Sequence, residues 1–138
     1  MMPSFSQRSR DRLDTCHPDL IRLMDAVIEH MDITILCGHR STKEQAELHS
    51  KGMTKLDGSP GKMSKHNHSP SLGVDFSPYP IDWQDRERWI AAAYYVKATA
   101  DQLGIKVRLG ADWNGDMRFV SSGAGREFFD APHVEIAT

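Results

Sequence analysis

Apolar residues between positions 18 and 30 recur at steps of three and four, through Leu20, Leu23, Met24, Val27 and Ile28, and so lay one buried stripe along a helix. Pro18 suits its first turn, where an amide would go unpaired anyway. The run Ile33, Thr34, Ile35, Leu36, Cys37 is short, apolar and rich in β-branched residues, which predicts a buried strand ending at Gly38. Ser41, three residues before Glu44, forms a capping-box pattern that opens a helix through Gln45, Ala46 and Leu48 toward Gly52. Arg40 is thereby set at a strand-to-helix corner. Over residues 53–72 the periodicity is lost, and glycines and prolines gather around 57–61, so this stretch reads as a long irregular loop of the kind that often carries function. Residues 73–76 look like a strand. Pro78 and Pro80 then break the chain before a helix over about 85–103, ended by Gly104. Residues 106–109 and 133–136 supply two more strands, separated by a glycine-rich irregular segment. Helices first, then mixed strands and one long helix, predict an α+β domain whose small antiparallel sheet packs against helices.

Length changes this picture only by bounding it: 138 residues can bury one core and not two, so a single domain over 1–138 is expected, with residues 1–12 a loosely packed polar lead-in. A net charge of -2 with interspersed signs provides no basic stripe, which argues against nucleic acid as a partner. The first dozen residues lack the apolar core of a signal peptide. No stretch approaches the roughly 18 apolar residues of a membrane span, so membrane insertion is not expected and the protein is read as made and folded in the cytoplasm. Cys16 and Cys37 fall at a helix start and in a buried strand, without a partner at metal-ligand spacing. They read as two free thiols with no functional part; a disulfide between them would sit awkwardly in a reducing compartment.

The strand pattern itself raises chemistry. In Gly73, Val74, Asp75, Phe76 the apolar pair faces the core, so Asp75 faces away; in His133, Val134, Glu135, Ile136, likewise, His133 and Glu135 share the polar face. Two strands each offering a ligand on one side of a sheet would floor a metal site, completed by His66 or His68 from the loop upstream. Three imidazole and carboxylate ligands with a fourth position left for water are what a catalytic zinc needs, whereas a structural zinc would take four closed ligands, commonly thiolates. The competing reading is that several of the seven histidines merely sit on the surface. No His-Glu-x-x-His helix decides between them.

Here the residues reach a resemblance. Ser64, Lys65, His66, followed by Gly73, Val74, Asp75 and later by Asp130, Ala131, Pro132, His133, Val134, Glu135, resembles the split motif of the D-alanyl-D-alanine carboxypeptidase and phage endolysin family of zinc peptidases. Gly38, His39, Arg40, Ser41 and Gln45 match that family's arginine corner. The segments 78–83 and 110–113 are similar to stretches of phage L-alanyl-D-glutamate endopeptidases. The likeness runs from about residue 13 to the end and implies a hedgehog/D,D-peptidase-like fold with the sheet carrying Zn2+. It implies His66, Asp75 and His133 as zinc ligands, Asp130 as general base, and Arg40 as the group that neutralises a developing oxyanion or holds a substrate carboxylate. For Arg40 the alternative is a surface salt bridge. The family's usual seven-residue spacer fits His68, while the Ser-x-His signature selects His66, with Asn67 also aligned and the two extra residues absorbed by the loop around Pro70.

Several neighbours carry two readings each. Glu135 either orients a ligand or is an exposed strand carboxylate. Trp83, Trp89 and Trp113 either line a substrate groove or, for Trp89, pack in the core. Asp112 is expected to fix a loop, and His39 to lie at the surface. The resemblance implies an endopeptidase for the L-Ala-D-Glu bond of peptidoglycan peptide stems, a monomer acting as a phage or prophage endolysin that meets the wall once the membrane is breached. A D,D-carboxypeptidase on D-Ala-D-Ala is the second enzyme reading. A non-catalytic, zinc-stabilised wall-binding domain is the third, and in it Asp130 would not matter.

Overall fold

The stripe over 18–30 becomes α2 (Pro18–Ile28) in a computed structural model that describes residues 3–111 and 131–137. Around it the order is α1 (Gln7–Leu13), then β1 (Ile33–Cys37), α3 (Thr42–Ser50), a 3-10 turn (Lys65–Asn67), β2 (Gly73–Pro78), α4 (Arg86–Leu103), β3 (Val107–Leu109) and β4 (His133–Ile136). The His17 ring caps α2 by accepting from the Asp19 amide at 3.0 Å. Leu20, Leu23, Met24 and Val27 are wholly buried. Burying each such side chain contributes about 1.5–3 kcal/mol of transfer free energy, so this one face does much to hold the helix against the core. It packs on α4, whose Ala92, Ala93, Val96 and Ala100 are small enough to let the two helices come close. Asp85 caps α4 by accepting from the Arg88 amide at 3.3 Å, and Gly104 ends it at φ 74°, a left-handed conformation that suits glycine.

The sheet runs β1-β2-β4-β3, antiparallel throughout, so β2 and β4 are its inner strands. Ile33, Ile35, Val74, Phe76, Leu109 and Val134 are buried in the core between sheet and helices. Among the described residues no helix is long and apolar enough to cross a membrane.

The main departure from the sequence reading is the lead-in. Far from loose, it forms α1: Ser6 caps it by accepting from the Ser9 amide at 3.1 Å, and Leu13 is wholly buried. Ser9 Oγ accepts from the Ile35 amide at 3.0 Å, and Arg12 Nη1 donates to the Ile35 carbonyl at 3.0 Å. Polar side chains thus cover the open edge of β1, which an apolar-periodicity reading has no means of seeing. β2 also runs on through Pro78, which closes the register opposite Ile33.

Candidate metal centre

One row of side chains crosses three strands. Asp75 stands opposite His133 on β4 and, across the other edge of β2, opposite Cys37 on β1. His133 Nδ1 lies 3.0 Å from Asp75 Oδ1, and His66 Nε2 lies 3.1 Å from the same oxygen. The other nitrogen of each ring is fixed: His66 Nδ1 is 2.7 Å from the Gly38 carbonyl, and His133 Nε2 is 2.9 Å from Glu135 Oε1. A carbonyl or carboxylate can only accept, so those two nitrogens carry protons. His66 Nε2 and His133 Nδ1 are the nitrogens turned to Asp75, and the protons they donate there are the ones a cation would displace in taking their lone pairs.

His66 is placed by its turn. Ser64 Oγ accepts from the His66 amide at 3.2 Å, while Asn67 Oδ1 accepts from the Ser64 amide at 2.8 Å, a reciprocal cap. Asn67 Nδ2 then donates to the Arg40 carbonyl at 2.9 Å, and the Arg40 amide donates to the His66 carbonyl at 2.8 Å, tying turn to corner. The Ser-x-His-Asn pattern thus has a structural cause. His68 follows the turn in extended backbone and lines no part of the cavity; it is His66 that reaches Asp75.

The electrostatics of the cluster are mutual. Burial works against charge on all three groups, yet hydrogen bonds from His133 and His66 hold the Asp75 carboxyl far below the usual carboxylate range. Against the same burial, bonding to Asp75 raises the rings, His66 to about 10 with help from Cys37, and His133 to about 9 with help from Glu135. A divalent cation would supply the same positive charge and release the ring protons. The donor types suit one, and in tetrahedral coordination with bonds of about 2.0–2.1 Å neighbouring N and O donors stand about 3.3 Å apart, close to the two nitrogen-to-oxygen spacings of 3.1 and 3.0 Å here.

Arg40 lines the cavity and, among the described residues, pairs with no carboxylate. Nη1 donates to Gln45 Oε1 at 2.9 Å and Nη2 to Cys37 Sγ at 3.6 Å. Gln45 is wholly buried and holds the long loop by donating to the Leu56 carbonyl at 2.9 Å. The cavity, about 940 Å³, is walled on the loop side by Met53, Leu56 and Met63, with Lys55 and Lys65 beside them. That is room for a peptide.

Other expectations divide. Glu135 is buried, at 7% exposure, so the exposed-carboxylate reading fails and the orienting one fits its bond to His133. Trp89 is core; Trp83 stacks on it at 5.2 Å, and neither lines the cavity. His39 is exposed, as expected. Both cysteines are free, but Cys37 is no bystander: its Sγ and the ligand atoms of His66 and Asp75 all lie within 4.8 Å of one another. Burial would push its thiol up, but the His66 ring and the Arg40 charge bring it below the ordinary value. The sequence reading missed it because strand alternation points position 37 to the core. Asp130, Asp112 and Trp113 lie outside the described residues.

Comparison with known proteins places these features in a lineage. The profile of the family described as phage L-alanyl-D-glutamate peptidase matches residues 1–137. The L-alanyl-D-glutamate peptidase of Escherichia phage T5 is 31% identical over 137 residues, covering 96% of this chain and 96% of that one. The crystal structure of the Serratia marcescens L-Ala D-Glu endopeptidase ChiX is similar in fold, with a TM-score of 0.72 at 22% identity over 97% of this chain and 90% of the other.

Proposed function

This chain belongs to the phage L-alanyl-D-glutamate peptidase family, and from that premise we propose that it is a zinc-dependent endopeptidase cutting the L-Ala-D-Glu bond of peptidoglycan stem peptides as an endolysin. The observation that carries the metal half of this reading is the convergence of His66 Nε2 and His133 Nδ1 on one oxygen of Asp75. His66, Asp75 and His133 are the ligands in this proposal. Zinc held there would supply a Lewis acid for the scissile carbonyl and activate water at neutral pH.

The chain's own groups do the rest. Arg40, braced through one nitrogen by Gln45 and through another by Cys37, keeps further N–H donors for the cavity. They are suited to a developing oxyanion or to a carboxylate of the stem peptide. Asp130, three residues before His133, is the proposed general base: its carboxylate takes a proton from the attacking water and passes it to the departing amide nitrogen, so that hydrolysis closes without net proton transfer to the enzyme. The apolar loop side chains Met53, Leu56 and Met63 border the cavity where they can shield the reacting bond from bulk water.

Digestion of purified peptidoglycan with the metal-loaded protein, followed by mass spectrometry of the new termini, tests the reading. Stem peptides beginning in D-glutamate are expected, and chelation should abolish their release until zinc is restored. Free D-alanine as the main product would instead assign a D,D-carboxypeptidase. An Asp130→Ala protein that binds zinc normally and clears walls at the wild-type rate would sink the catalytic mechanism in favour of a wall-binding domain.

A further inference from the structure

The register between β1 and β2 contains a single irregularity. Ile33 faces Pro78, Thr34 faces Ser77 and Ile35 faces Phe76, but the next pair is Cys37 with Asp75, so Leu36 is an extra residue on the β1 side. Without it, alternation would set Cys37 opposite Val74, in the core. A bulge of this kind re-aims the side chains that follow it. Here it turns a core position into a neighbour of the metal cluster.

We propose that Cys37 Sγ is a protein donor to the same metal ion that His66, Asp75 and His133 hold. The inference rests on the metallopeptidase reading and extends it to the fourth donor. Three observations on geometry support it. The sulfur and one donor atom each of His66 and Asp75 lie within 4.8 Å of one another, a cluster one ion can draw together, and His133 is tied to it through Asp75 at 3.0 Å. Arg40 Nη2 points a cationic donor at the sulfur from 3.6 Å, the kind of outer partner that steadies a coordinating thiolate. Cys16 shows the contrast: it is buried among apolar side chains, with its thiol directed to the carbonyls of Arg12 and Gly73 at 3.9 and 3.8 Å. The Cys37 thiol has a contact of that sort to Gly38 at 3.5 Å, and metal binding would exchange that proton for the ion. A fourth protein donor fills the tetrahedral shell, so the reaction at this site calls for the expansion to five donors that catalytic zinc can undergo, the fifth position taking water or substrate. A thiolate in the set also inclines the site toward softer ions.

Cobalt substitution gives a readout independent of catalysis. The Co(II)-loaded protein is expected to show a thiolate-to-cobalt charge-transfer band in the near ultraviolet beside its visible d–d bands. Cys37→Ser should lose the charge-transfer band and keep the d–d bands, whereas Cys16→Ser should keep both. Wild-type protein with d–d bands and no charge-transfer band overturns the assignment of Cys37 while leaving the other ligands standing. Absence of any cobalt spectrum overturns it together with the metallopeptidase reading. Should Cys37→Ser fail to fold, X-ray absorption of the zinc-loaded wild type decides: a sulfur scatterer at about 2.3 Å supports the proposal, and nitrogen and oxygen alone at about 2.0–2.2 Å refute it.

Discussion

Glu135 accepts a hydrogen bond from His133 at 2.9 Å with each side chain only 9% exposed, so a carboxylate two residues from a proposed ligand fixes which ring nitrogen faces the metal. Outer partners of this kind commonly contribute 10- to 100-fold in metal affinity. Glu135→Ala is therefore expected to weaken zinc binding by about that factor. Glu135→Gln should weaken it less, because the amide oxygen still accepts. Competition against a chromophoric chelator measures both, and equal affinities for all three proteins would remove Glu135 from the site.

Gly73 faces Glu135 across the strands, and a methyl group there would come within 2.9 Å of His133 Cε1. Gly73→Ala should displace the ring and lower zinc affinity more than it lowers thermal stability. A variant with unchanged affinity would show that the ring has room to yield.

Between the two histidines of the loop, geometry makes a clear prediction. His66→Ala is expected to leave the purified protein substoichiometric in zinc, and His68→Ala to leave it replete. Metal analysis of the two variants is sufficient, and the reverse pattern would transfer the ligand role to His68.

Arg40→Ala should cut kcat/KM by about 10²- to 10³-fold even when assayed at saturating zinc, since its donors face the cavity while His66, Asp75 and His133 do not depend on its side chain. Arg40→Lys retains the charge without the fork and should recover little of the loss. Full activity in either variant would return Arg40 to a structural part.

How much of this was legible in advance follows from what each signal measures. Apolar patterning located α2 and β1, because those elements bury residues and the sequence must record it, while α4 was bounded by its breakers, Pro78 and Pro80 before it and Gly104 after. Alternation also placed Asp75 and His133 on a common side, and their pairing across β2 and β4 fits that. It misplaced Cys37, since one bulged residue reverses alternation and nothing in the letters Ile35, Leu36, Cys37 announces a bulge. Nor could it see α1, whose stabilising contacts are polar and run from Ser9 and Arg12 to the backbone of β1. Ser64 and Asn67 were readable only as a motif; the cap they build explains how one 3-10 turn within a long loop holds the His66 ring in place.

Cys16 carries a prediction about alkaline stability. Burial pushes its thiol up to about 12, from an ordinary value near 9. Below pH 9 folded and unfolded chains both keep the proton and the contribution is fully present. Between pH 9 and 12 the unfolded chain loses it first, so stability falls by about 1.4 kcal/mol for each pH unit from this group. Denaturant titrations should show a steeper alkaline decline for wild type than for Cys16→Ala. Parallel declines would mean that the thiol ionises equally well in both states.

The strand order has a kinetic corollary. β2 and β4, which carry Asp75 and His133, are the two strands with neighbours on both sides. Proteins open locally from edges and loops inward, and amides of central strands exchange with solvent only through the larger openings. Deuterium should therefore reach the backbone of β1 and β3 well before it reaches the ladder joining β2 to β4. The two proposed ligands on that ladder would keep their register through every fluctuation short of global unfolding, and the turn contributing His66, which stands outside the ladder, would be the door by which the ion enters and leaves.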